Sequence, residues 1–279
     1  LEEPFSNIKV REAFCHLWDV EKLMDKLFFN EYVRKNSYFP RSKYEHPDNP
    51  IQNYNPDYAL ELLKEAGWTK EEGDTWLTND KGEIFEIEEF HIYQGWDRIL
   101  NYFVQDLESI GIKLNLVVIQ NPFEMAMNRK FKIYNGGWTG SLLPSPEGML
   151  HSKYSEKLDV TNITGMANPE IDRLIEEYNL NWNMEERIKI LQEIDSIATR
   201  EFHWIFSWGA PYGYRCLNWD KFGIPENGVG YAGGWLQPIS MWWIDPDKKE
   251  KLQDVIKNGG TLPVEKEVVD YWNNLEKSN

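Results

Sequence analysis

Aromatic rings set beside amides and hydroxyls are the residues of this sequence best suited to chemistry, and the chemistry they suit is non-covalent binding. Trp138, Thr139, Gly140 and Ser141 follow the strand-like run 131–134, Gln94 and Trp96 follow the run 84–90, and Trp208 and Tyr212 close the run 203–208. Rings at strand ends offer stacking area at low entropic cost, and the neighbouring polar groups orient what stacks on them. In open α/β sheets ligands gather at strand ends of this kind. Core packing competes for every one of these rings, and Trp138 and Trp208 are the two singled out as ligand contacts.

Catalytic patterns find less support. Gly228, Gly230 and Gly233 match a dinucleotide-binding spacing, but Pro225 and Pro238 flank them where a strand and a helix are required. The five histidines, His16, His46, His91, His151 and His203, include no pair three or four residues apart, so a zinc site is not expected. Ser141, Ser145 and Ser207 lack a nucleophile-elbow sequence. Glu61 with Lys64, and Glu185 with Lys189, read as solvated helix faces. A carboxylate pair for glycoside cleavage is assembled in space and not in sequence, so a carbohydrate-active enzyme stays open as a distant alternative. A protein-interaction module using exposed rings is a third reading, and it requires a flat aromatic patch.

Helices and strands alternate around these residues, which is the α/β pattern. Asn55, Asn121 and Asn168 each precede a proline, a cap followed by a first-turn residue. Asn183 with Glu186 opens what reads as the longest helix, through Ile188, Leu191, Ile194 and Ala198. Runs 84–90, 112–119, 131–134 and 203–208 are rich in branched and aromatic residues and read as strands. Residues 209–244 turn to Gly, Pro and rings, an irregular wrapping segment. The charged tail from Asp245 reads as two short helices split by Gly259 and Gly260, the second marked by Val264, Val268 and Tyr271.

The chain of 279 residues carries 13 Trp, 14 Tyr and 13 Phe, too much apolar area for a disordered polymer. A formal charge of −16 repels a phosphate backbone, so nucleic acid is not an expected partner. Residues 227–244 are uncharged, but their glycines and Pro238 preclude a spanning helix. Cys15 and Cys216 are too few for a disulfide scaffold and read as buried thiols, with a bridge between them as the alternative in an oxidising compartment. No export signal opens the chain at Leu1.

Residues 5–14, 54–68, 107–113 and 168–175 together resemble, in order, the family 5 extracellular solute-binding proteins of ABC importers. Residues 218–223 and 242–248 are similar to the branch of microcin C and peptide binders. The resemblance implies a periplasmic-binding-protein type II-like lobe, similar to domain 3 of dipeptide-binding proteins, with a mixed sheet flanked by helices. Residues 1–244 would form the second ligand-binding lobe and 245–279 a helical tail, with the first lobe and the export signal upstream. It further implies an exported, periplasmic or extracytoplasmic protein without cofactor, working with membrane permease subunits. The ligand would be a peptide or peptide-like solute, or alternatively an oligosaccharide. Where the family often carries an Asp-Pro that meets a peptide ammonium, this chain has Ser145 and Pro146 with Glu147 next, a departure that weakens ammonium recognition. Arg215 is a candidate partner of a ligand carboxylate, with a structural ion pair as the competing reading.

Overall fold

Asparagine side chains begin five of the helices. In the computed structural model, which describes residues 2–138, 143–211, 217–226, 239–264, 266 and 268, Asn7 caps α1 (Ile8–Cys15), Asn55 caps α3 (Pro56–Glu65) and Asn121 caps α5 (Pro122–Met127). Asn168 caps α7 (Pro169–Leu180) and Asn183 caps α8 (Met184–Arg200). Each carboxamide oxygen accepts from a first-turn N–H that has no partner inside the helix. The Asn-Pro reading therefore holds at all three expected positions, and α8 is the longest helix among the described residues. Glu186 does not reach back to Asn183 as a capping box would. It accepts from Asn181 Nδ2 at 2.7 Å, while Asn181 Oδ1 accepts the Asn183 N–H at 2.8 Å.

The remaining elements of residues 1–211 are α2 (Val20–Lys26), β1 (Val33–Arg34), β2 (Glu86–Ile92), α4 (Asp97–Ile110), β3 (Lys113–Val118), α6 (Glu147–Leu150), a 3-10 turn (Ser152–Tyr154) and β4 (Trp208–Gly209). β2 and β3 run parallel, joined through α4, with one register irregularity between Ile87 and Phe90. β1 pairs antiparallel with β4, Arg34 opposite Trp208. The α/β organisation is thus present, its strands distributed over three two-stranded ladders. Run 131–134, expected as a strand, pairs with nothing among the described residues, and of run 203–208 only Trp208 enters a ladder. Both runs are apolar because they are packed, and packing alone does not make a ladder.

Two hydrophobic clusters form within residues 1–211. The first gathers α1, α3, α4, β2 and β3 around Phe14, Leu63, Phe85, Ile87 and Leu107. The second gathers α6, α7 and α8 around Leu150, Met166, Ile171, Ile175 and Leu191.

A separate unit comprises residues 212–279. Its β5 (Phe222–Gly223) and β6 (Trp243–Ile244) are antiparallel, and α9 (Pro246–Asn258) is capped by Asp245. The Asp245 N–H also donates to Lys221 O at 3.0 Å, and Lys248 Nζ lies 3.5 Å from Asp220 Oδ1, so α9 is tied to the strand pair before it. The division between units falls at 211/212, upstream of the compositional change at Asp245. Residues 261–264, where a second tail helix was expected to begin, have no regular structure, and Val264 is fully exposed. Tyr271 lies outside the described residues.

Candidate functional site

Residues 203–209 run extended between the two clusters and are hydrogen-bonded mainly by side chains. The buried carboxamide of Gln52 accepts the Phe206 N–H at 2.7 Å and donates to Trp204 O at 3.1 Å, doing for this segment what a neighbouring strand would do. Trp18 Nε1 donates to Ser207 Oγ at 2.7 Å, and the Lys35 N–H donates to Ser207 O at 2.9 Å. The Cys15 thiol, buried and with its pKa pushed up chiefly by desolvation, donates to Trp204 O at 3.7 Å. Trp204 and Phe206 pack on the helical cluster, whereas Ile205 and Trp208 pack on the α/β cluster.

The segment thereby carries a ring group at each end. Trp208 lies against Trp18 (centroids 6.2 Å apart) and Phe28 (5.0 Å), and stacks with Trp96 at 6.4 Å and 28°. Tyr32 extends this row past Phe28 at 4.9 Å. Trp96 reaches it from the first turn of α4, where it occupies the cap position with no side-chain hydrogen bond. At the other end Trp138 meets Trp204 edge-on at 4.6 Å and stacks on Tyr38 at 6.1 Å, with its Nε1 donating to Tyr38 O at 3.3 Å. The residue remains 37% exposed. Trp138 and Trp208, the two rings singled out as ligand contacts, therefore belong to two ring groups, one anchored on Trp204 and the other on Trp208 itself.

Asp195, on α8, holds the Trp138 end in place. It is fully buried, and its carboxylate accepts from the Tyr38 N–H (2.8 Å), Ser37 Oγ (2.9 Å), the His46 N–H (3.0 Å) and Asn49 Nδ2 (2.6 Å). Burial raises its pKa, and these four donors oppose the rise. A chain of contacts thus runs from Asp195 through the Tyr38 backbone to the indole of Trp138. Arg34 acts similarly at the other end, donating to Gln52 O and lying 3.3 Å from Glu21 Oε2. Nothing in the sequence pattern of Asp195 distinguished it from the surface carboxylates of its helix.

Of the remaining expected contacts, Gln94 is exposed on the turn between β2 and α4, and Ser145 is exposed just before α6. Glu147 is engaged by Lys153 and by Asn179 Nδ2 at 3.0 Å, contacts that lower its pKa. Tyr178 Oη pins the same loop by donating to Pro144 O at 2.7 Å. Thr139, Gly140, Ser141, Tyr212 and Arg215 lie outside the described residues, as do Cys216, Gly228, Gly230 and Gly233.

Ser152, His151 and Asp172 come together, but Ser152 Oγ donates to the Asp172 carboxylate and His151 Nδ1 accepts the Lys153 N–H at 3.2 Å, so the order of a Ser-His-Asp relay, with the imidazole between hydroxyl and carboxylate, is not formed. Among the described residues no group of three or more His, Cys, Asp or Glu is arranged to hold a metal ion. No described helix is long and apolar enough to cross a membrane. Two surface concavities, of about 480 Å³ beside His46 and Lys189 and about 530 Å³ beside Leu60 and Trp68, lie away from the ring groups.

Residues 2–158, more than half of the chain, match the family model described as bacterial extracellular solute-binding proteins, family 5 Middle. An uncharacterized Escherichia coli K12 protein, YejA, is 25% identical over 292 residues, which cover 91% of this chain and 47% of YejA. The oligopeptide-binding protein AppA of Bacillus subtilis, solved in complex with a nonapeptide, superposes with a TM-score of 0.70 at 22% identity over 87% of this chain and 48% of AppA. A mannohexaose-bound periplasmic oligopeptide-binding protein of Thermotoga maritima gives a TM-score of 0.64 at 20% identity, over 74% of this chain and 42% of that one. The chain spans about half the length of the curated relatives it matches.

Proposed function

This chain belongs to family 5 of the bacterial extracellular solute-binding proteins, and on that premise we propose that it is the second lobe of a two-lobe ABC-importer subunit that binds a peptide or peptide-like solute. The family is one of binding proteins and not of enzymes, and its members are extracytoplasmic. In this reading residues 1–244 form the lobe, 245–279 a tail whose helix is Pro246–Asn258, and an upstream lobe completes the cleft. The ligand bridges both lobes and favours the closed state by binding it more tightly than the open one. The closed protein then delivers its cargo to permease subunits.

The observation that carries this reading is Trp138. Its indole is oriented by a hydrogen bond to Tyr38 O and by the edge of Trp204, yet more than a third of the residue stays open to solvent. A ring held this firmly and left uncovered is prepared for a stacking partner at little further entropic cost. Recognition would come from the two ring groups, with Gln94, Ser145 and the residues 139–141, 212 and 215 as polar contacts.

Calorimetry of the full-length protein against a pool of short peptides tests the proposal. Binding at micromolar affinity or better is expected, and Trp138→Ala is expected to weaken it about tenfold, as for a well-packed interface Trp. The isolated chain, supplying half of the contacts, is expected to fold but to bind more weakly than micromolar. A variant that binds every peptide as tightly as the wild type would refute the role of Trp138.

A second reading, an oligosaccharide ligand, is favoured by the near-parallel faces of Trp96 and Trp208 and by the mannohexaose-bound relative. Thermal stabilisation by cello-, chito- or manno-oligosaccharides with none by peptides would establish it in place of the first.

A further inference from the structure

Leu180, Trp182 and Met184 share the short turn between α7 and α8, and all three are exposed, Trp182 to 90% and Leu180 to 80%. None of them packs on the helical cluster. Single apolar residues on a surface need no explanation, but three on one turn mark a place of contact. The turn is nevertheless held firmly by polar groups. Arg187 Cζ lies 3.8 Å from the centre of the Tyr178 ring, and Arg187 Nη1 donates to Tyr178 O at 3.2 Å and to Asn181 O at 2.9 Å. Asn181 accepts the Asn183 N–H and donates to Glu186, and Asn183 caps α8. A Trp presented on a fixed backbone loses little freedom when a partner covers it, which is the condition of an interface anchor.

The position of the turn restricts what that partner can be. Met184 opens α8, and Asp195, which anchors the Trp138 group, lies about 16 Å further along the same axis. A partner seated on Trp182 therefore leaves the Trp138 ring open for ligand. The last turn of α7 also holds the loop that carries Ser145: Tyr178 Oη donates to Pro144 O at 2.7 Å, and Asn179 Nδ2 donates to Glu147 Oε2 at 3.0 Å. Tyr178 thus braces the apolar turn through Arg187 and the 144–147 loop through its hydroxyl. A surface continuous with a ligand-contact loop suits a partner that must accept loaded protein in preference to empty protein, and in an importer that partner is the permease. Exposed Glu176 and Glu185 flank the turn. Their charge opposes an anionic lipid surface and complements cationic side chains around an apolar pocket.

We propose that Leu180, Trp182 and Met184 form a docking surface for the permease, with Trp182 entering an apolar pocket rimmed by Lys or Arg on its extracytoplasmic side. The assignment rests on the importer reading above and deepens it by giving that partner a place on this lobe.

The test uses the full-length protein, its permease with the ATPase subunits in proteoliposomes, and a peptide that binds by calorimetry, or mannohexaose if only that sugar binds. ATP hydrolysis is read against the concentration of loaded protein. Trp182→Ala is expected to raise the half-saturating concentration about tenfold or more, and Leu180→Ser by a smaller factor. Glu185→Lys is expected to raise it and to weaken its dependence on salt. All three variants are expected to keep the wild-type ligand affinity, which also shows that they fold. Phe123→Ala, on a half-exposed ring of α5, is expected to change neither quantity. Half-saturation that is unchanged by both Trp182→Ala and Leu180→Ser, or raised as much by Phe123→Ala, overturns the assignment. So does a loss of ligand affinity in Trp182→Ala, which would put the turn in the ligand site. Binding to permease-free vesicles of phosphatidylethanolamine and phosphatidylglycerol that Trp182→Ala abolishes, or a dimer in sedimentation that it dissociates, overturns the assignment in favour of lipid or of a second copy. A wild-type protein that binds neither peptides nor mannohexaose, or that binds one and leaves ATP hydrolysis at its basal rate, overturns the importer reading together with it.

Discussion

Acidification from pH 7.5 to pH 5 is expected to destabilise this chain through His203 by about 2 kcal/mol. Its imidazole is largely buried, Nδ1 shares a hydrogen bond with Thr164 Oγ1 at 2.9 Å, and desolvation followed by the nearby Arg11 guanidinium holds its pKa down to about 3, against 6.5 for the unfolded chain. Arg11 cannot move away, because it donates to the carbonyls of Phe5, Ser6 and Glu201 at 2.9, 3.0 and 3.0 Å. The depressed pKa means that the unfolded chain takes up the proton first. Stability is complete above pH 6.5 and falls as pH drops toward 3. At pH 5 the unfolded imidazole is almost fully protonated and the folded one almost wholly neutral, which gives about 2 kcal/mol by linkage. Urea unfolding followed by circular dichroism at the two pH values, on wild type and His203→Gln, isolates this contribution. The carboxyls of Asp195 and Asp106, both raised by burial, act in the opposite direction but are common to both proteins and cancel in the comparison. The wild type is expected to lose about 2 kcal/mol more than the variant. Equal losses within about 0.5 kcal/mol would refute the claim that this imidazole stays neutral in the fold.

Asp195→Asn places an NH₂ among groups that all donate to position 195, and a loss of about 3 kcal/mol in urea unfolding is expected; a loss below about 1 kcal/mol would show that the 37–49 segment is anchored elsewhere. Gly111, at the end of α4, has φ +95°, and a Cβ there would meet Thr75 O at 3.0 Å and Leu77 N at 3.1 Å, both backbone atoms unable to yield. Gly111→Ala is accordingly expected to cost about 2 kcal/mol, whereas the same change at the uncrowded Gly73, whose φ is +96°, is expected to cost about half as much; equal costs would argue that crowding is irrelevant.

What could be read in the sequence was what is local. Asn-Pro pairs at 55, 121 and 168 start helices because the cap and the fixed φ act within one turn. Runs 84–90 and 112–119 were legible from their branched and aromatic residues, and the strands lie close to them at 86–92 and 113–118. Residues 131–134 and 203–207 have the composition of strands without the ladders, and no pattern in the sequence distinguishes a segment paired by a neighbouring strand from one paired by the carboxamide of Gln52. The rings at 96, 138 and 208 were identifiable as candidates, but their separation into two groups follows from which cluster each end of 203–209 packs upon. Asp195 was not identifiable at all, since a buried four-fold acceptor looks, in sequence, like any charged surface residue.

The position of residues 204–207 also bears on the order in which the chain folds. Their partners are remote in sequence: Cys15 lies 189 residues from Trp204, Trp18 lies 189 from Ser207, and Gln52 lies 154 from Phe206. Closing loops of that length costs chain entropy before any contact returns it. The helical hairpin of α7 and α8 and the β2–α4–β3 crossover, both local, can form before this segment docks between them. Trp138 and Trp208 gain their final surroundings only at that docking, so their fluorescence would report the last stage of folding, and a binding surface built on them would exist only in the finished molecule.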